Sequence, residues 1–95
     1  MGSLKYTPLR HKILSEVRAR RIVMYIGLQR SLIRKPSGDG CEQWLKGPEK
    51  RTAETLQHLI SYDRVSYPRC GTYLTEAGRT LLAEWDEKHG KVELA

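Results

Sequence analysis

The chain has 95 residues, room for one small domain around one core. Its 17 Lys and Arg against 11 Asp and Glu give a net charge of +6 and a pI near 9.6, a balance that raises encounter rates with polyanions without saying which one. No apolar run approaches the ~20 residues of a membrane-spanning helix, the opening MGSLKYTPLRHK lacks the apolar stretch of a secretory signal, and Cys41 and Cys70 make neither a CxxC pair nor a disulfide framework.

The expectation is a cytoplasmic protein with reduced thiols and no membrane contact. The charge is segregated. Residues 1–72 carry 14 basic and 6 acidic side chains, and residues 73–95 carry 3 basic and 5 acidic. A polyanion is therefore expected to meet the earlier part of the chain and not its C-terminal helix.

In chain order, Thr7-Pro8 reads as a helix start, with Thr7 as N-cap and Pro8 in the first turn. Leu9, Ile13 and Val17 then recur at helical spacing, which predicts a helix from Pro8 to about Ala19. The stretch from Arg21 to Lys35 fits either of two elements. Ile22 to Ile26 is a β-branched and aromatic run, Gly27 follows, and apolar and polar residues alternate to Arg34. That suits a hairpin turning near Gly27. A helix with Ile22, Ile26, Gln29 and Ile33 on one face also fits. The hairpin is preferred, because β-branched side chains lose χ1 freedom in a helix.

Lys35 to Gly40 has loop composition. Glu42 to Lys46 suits a strand return or a single helical turn before Gly47-Pro48. A helix capped by Thr52 is expected next, burying Ala53, Leu56, Leu59 and Ile60. A strand starting at Val65 to Tyr67, a turn at Pro68 to Gly71 and a return strand over Thr72 to Leu74 follow. Thr75 then caps a last helix with an Ala77, Leu81, Leu82, Trp85 stripe, ended by His89-Gly90. Residues 1–6 and 91–95 are expected to be flexible ends of a single domain spanning 1–95. Trp44 and Trp85 are both expected in the core. The alternative for Trp85, with Leu81 and Leu82, is a homodimer seam.

The second half of the chain resembles winged helix-turn-helix regulators of the MarR and PadR kind. Those carry T-x-x-T-L-x-x-L-(I/L), a strand, a turn and then L-T-(E/D)-x-G-R-x-L-L. Here the corresponding residues are Thr52, Thr55, Leu56, Leu59 and Ile60, then Leu74, Thr75, Glu76, Gly78, Arg79, Leu81 and Leu82. The resemblance implies an α+β fold with three helices and a small antiparallel sheet or wing. It also implies double-stranded DNA binding by a small transcriptional regulator of bacterial or phage type. Between the Lys35–Gly40 loop and Gly47-Pro48 the chain holds only about a turn or two, where a winged helix normally carries a three-turn helix before its recognition helix, so the first helix and hairpin match only in order.

On that reading Lys50 and Arg51 sit at a helix start suited to phosphate. Thr52, Thr55, Gln57 and His58 occupy the outer face of the helix, and Arg69 stands at the wing tip. An ordinary amphipathic surface helix would show the same pattern. A fold of this kind also serves as a protein-interaction module that binds and modulates a partner, the competing expectation. Enzymatic signals are lacking. His11, His58, His89 and the two cysteines have no metal-ligand spacing, and no P-loop, GxGxxG or nucleophile elbow occurs. No catalysis, metal or cofactor is expected.

Overall fold

The computed structural model describes residues 4–27, 30–35 and 40–94. The fold is α+β, with three α-helices against one antiparallel sheet of five strands. Helix α1 spans Pro8–Arg18, as its sequence predicts, and the Thr7 hydroxyl accepts from the Arg10 amide 3.1 Å away. The helix ends on Arg20 at φ 64°, a left-handed C-terminal residue where glycine is more usual.

Strands β1 (Ile22–Ile26) and β2 (Arg30–Arg34) form the expected hairpin, paired from Ile22↔Arg34 to Ile26↔Arg30. The turn expected at Gly27 runs into residues 28–29, and most of the Lys35–Gly40 loop is 36–39, both outside the described residues. The strand-return alternative for Glu42–Lys46 is realised as the short β3 (Gln43–Trp44), which pairs with β2.

Helix α2 is Pro48–Glu54, so Thr52 lies inside it and does not cap it. The N-cap is Gly47 and Pro48 takes the first turn, the position that suits a residue with no amide proton. After Glu54 the chain tightens into a 3₁₀ turn at Gln57–Leu59 and enters β4 (Ile60–Tyr62). The apolar face expected of a longer helix is kept, because Ala53, Leu56, Leu59 and Ile60 are all buried. It is delivered by four kinds of backbone, with Ala53 in the helix, Leu56 in a turn, Leu59 in the 3₁₀ segment and Ile60 in the strand.

The strand pair that follows also differs from expectation. Val65 lies in a 3₁₀ turn at Arg64–Ser66, Asp63 to Pro68 form the connection, and β5 is Arg69–Leu74. Asp63 sets that turn by accepting the Val65 amide on its carboxylate at 3.0 Å. Arg69 and Cys70 therefore belong to a strand and not to a wing tip. Thr75 caps α3 (Glu76–His89) as expected.

The sheet order is β3-β2-β1-β5-β4. Strand β5 alternates exposed and buried from Arg69 to Leu74, the pattern of a sheet with one covered face. Register places Ile22, Leu32, Ile60 and Leu74 on that covered face. They join Ile13, Leu14, Val17, Leu45, Ala53, Leu56, Leu82 and Trp85 in one core. Leu82 and Trp85 are thus used inside the chain, so the seam alternative loses two of its three side chains; Leu81 packs partly against the core as well. Leu4 and Tyr6 also pack on it, and Tyr6 stacks on His89 at 3.6 Å, so this part of the N-terminal segment is anchored.

Trp44 is not core. It is 51% exposed at the edge strand β3, aligned with the buried Ile33 on the sheet face opposite the helices.

Candidate nucleic-acid interface

Three polar nodes fix the surfaces around them. Arg34 reaches from β2 to both α1 and α2. Its Nε and Nη2 donate to the two Glu16 oxygens at 2.5 and 2.8 Å, and it also binds Glu49. The hydrogen bond from Arg34 holds the Glu49 carboxyl below its usual range against the opposing effect of burial, with Lys12 adding to it. The second node joins α1 to α3. Asp86 accepts from Arg18 at 2.6 Å, and its Oδ1 lies 2.8 Å from Nε2 of the buried His11. Burial pushes this carboxyl up, but the His11 and Arg18 contacts outweigh it and the net direction is down.

The third node is Thr55. Its hydroxyl donates to the Thr52 carbonyl at 2.6 Å and accepts from Arg10 Nε at 3.2 Å. The only proton of that hydroxyl is committed within the fold, so Thr55 ties α1 to α2. The Arg34 and Asp86 nodes leave no sequence signal, because their members lie 15 to 75 positions apart.

The residues expected at a recognition surface fall into four places. Lys50 and Gln57 line one side of a groove between α2 and the sheet. Arg51 is exposed on α2, one helical turn before Thr55. His58 lies in a shallow depression with Thr75, Glu76 and Glu84 of the acidic C-terminal helix, an unfavourable place for phosphate. Arg69 lies on the sheet face opposite the helices and is bound to Glu42. Lys50 and Gln57 are therefore neighbours, Arg51 lies on the exposed side of α2 in line with Thr55, and His58 and Arg69 lie elsewhere.

Sequence reasoning missed two further cations. The Arg30 guanidinium stands 5.6 Å from the Tyr62 ring centre and that of Arg64 5.7 Å from it. Arg64 also donates to the Tyr62 hydroxyl at 3.3 Å, which raises its pKa further. Among the described residues neither arginine has a carboxylate partner. Arg64 sits in the true β4–β5 connection, beside Val65 at 87% and Tyr67 at 64% exposure. The turn is expected at Pro68 to Gly71, and the chain turns over Arg64–Ser66 instead. The signal that could have found Arg64 is the Asp63 turn chemistry.

The groove holds about 540 Å³. Met24, Leu32 and Ile60 line it from the sheet, and Arg30, Lys50, Gln57 and Tyr62 contribute polar groups. Basic groups thus run from Arg64 across Tyr62 and Arg30 to Lys50 at the groove.

Among the described residues no three His, Cys, Asp or Glu side chains are grouped to hold a metal, and no helix is long and apolar enough to cross a membrane. No family model, curated protein or solved structure matches the chain.

Proposed function

We propose that this protein binds double-stranded DNA through α2 and the β4–β5 connection, as a winged-helix-type domain in which β2 and β3 stand where a first recognition-motif helix would be. The observation that carries the reading is the row of Arg64, Arg30 and Lys50 around Tyr62 and the groove, with exposed Arg51 next to Lys50 in α2. It lies on one side of the molecule, and the acidic C-terminal helix supplies none of it. Such a row of cations matches a backbone that presents a charge every few ångströms. The order helix, strand, connection, strand, helix agrees with what the resemblance implies. A seven-residue α2 offers little length for reading bases. The contacts are therefore mainly to phosphate, with Gln57 nearest to a base-reading role.

Exposed Val65 and Tyr67 beside Arg64 favour a second reading, a surface that binds and modulates a protein partner. The two readings separate on a pair of variants titrated with duplex. Arg64→Ala weakens DNA binding, and Arg69→Ala, on the opposite sheet face, leaves it unchanged. Equal effects of the two would remove the proposed orientation. Absence of duplex binding by the parent would transfer the surface to a protein partner.

A further inference from the structure

The groove beneath the basic row has a composition that phosphate binding does not use. Duplex phosphates need only the rim with Arg30 and Tyr62, yet Met24, Leu32 and Ile60 add an apolar floor from the sheet. Met24 and Leu32 are adjacent in register on β1 and β2, and Ile60 faces the same side from β4. Helix α2 stops at Glu54, and Gln57 of the following 3₁₀ turn borders the groove at this end of the covered sheet face. The volume of about 540 Å³ lies in the range of small-molecule sites, roughly 300–1,000 Å³.

We infer that the groove is a binding site for a small amphipathic anion, with its apolar body on Met24, Leu32 and Ile60 and its acidic head between Arg30 and Lys50. The sign of the charge follows from the lining. Two cations face it against one carboxylate, Glu54. Arg30 is held over the Tyr62 ring and offers a planar set of N–H donors suited to a carboxylate or a phosphate. Gln57 and the Tyr62 hydroxyl add neutral polar groups around the head. The site stands independently of DNA binding. If both occur, they compete for Arg30 and Lys50.

The test uses the whole chain without DNA, titrated with decanoate and with decanol below their aggregation concentrations, and read by amide chemical shifts. Decanoate is expected to move the Met24, Leu32, Ala53 and Ile60 signals in one saturable process. Decanol is expected to bind about ten-fold more weakly, since it lacks the charge that strengthens the head-group hydrogen bonds. The variant Arg30→Gln/Lys50→Gln, both exposed positions whose change spares the core, is expected to abolish this preference. Lys91→Gln in the C-terminal segment is expected to keep it. Equal binding of acid and alcohol by the parent would overturn the inference. So would shifts centred on Tyr25 and Tyr73 of the opposite sheet face, or no saturable shift at all.

Discussion

Gly78 sets how closely α3 can lie on the chain that precedes β4. A Cβ built there would stand 2.6 Å from the Leu59 carbonyl oxygen, which also accepts the Thr75 amide at 3.0 Å. Alanine favours a helix over glycine by about 1 kcal/mol, but here the opposing atom is backbone and cannot rotate away. Gly78→Ala is therefore expected to destabilise by about 1–3 kcal/mol in a urea melt, and a neutral or stabilising change would mean that α3 sits further out. Asp86 makes a prediction with a pH sign. Its carboxyl is held below the usual value in the folded state, so its contribution is present above the unfolded value near ~3.9 and is lost as pH falls through the folded one. Asp86→Asn should cost about 1–3 kcal/mol near neutrality. The gap between variant and parent should close on acidification below about pH 4. A gap that is constant with pH would show that the charge is not what Asp86 contributes.

At the scale of elements, what the sequence shows clearly is what short-range physics decides. Thr7-Pro8 and Thr75 mark two helix starts because capping needs only a few neighbouring residues, and both are where expected. The β1–β2 hairpin is legible from β-branched residues beside Gly27. The region from Pro48 to Leu74 is legible in its burial but not in its backbone. Spacing of Ala53, Leu56, Leu59 and Ile60 fits a helix, yet Ile60 also pairs with Leu74 in the sheet, and tertiary pairing overrides local periodicity there. The candidate surface is only partly legible for that reason. Lys50 and Gln57 stay together, His58 and Arg69 are dispersed, Arg30 enters through strand pairing that no local pattern reveals, and Arg64 enters through the turn that Asp63 sets. Trp44 shares a sheet face with Ile33 and Val23, which are buried, and is left half exposed at the edge strand by a register that local sequence does not reveal. Leu59, 4% exposed beneath α3, is expected to cost about 2–5 kcal/mol on replacement by alanine. A change under about 0.5 kcal/mol in the same melt would mean that the 3₁₀ turn is not packed as described.

Over the whole molecule, charge and burial divide the labour. The helices cover one sheet face, Arg34 and Asp86 bind their charged partners across elements, and Arg30, Lys50 and Arg64, with no carboxylate partner among the described residues, stand apart from them around Tyr62 and the groove. That separation, and not the total of +6, carries the DNA reading. The most direct measurement is a titration of mixed-sequence duplex at several salt concentrations, comparing the parent with a Lys50→Ala/Arg51→Ala/Arg64→Ala variant shown to be folded. Each phosphate-neutralising side chain removed lowers the slope of log affinity against log salt by about 0.9. The account predicts that the parent binds at low salt with a steep slope, and that the variant binds more weakly on all sequences with a slope reduced by about two to three. A variant that matches the parent in affinity and slope, or a parent that binds no duplex at low salt, would contradict it.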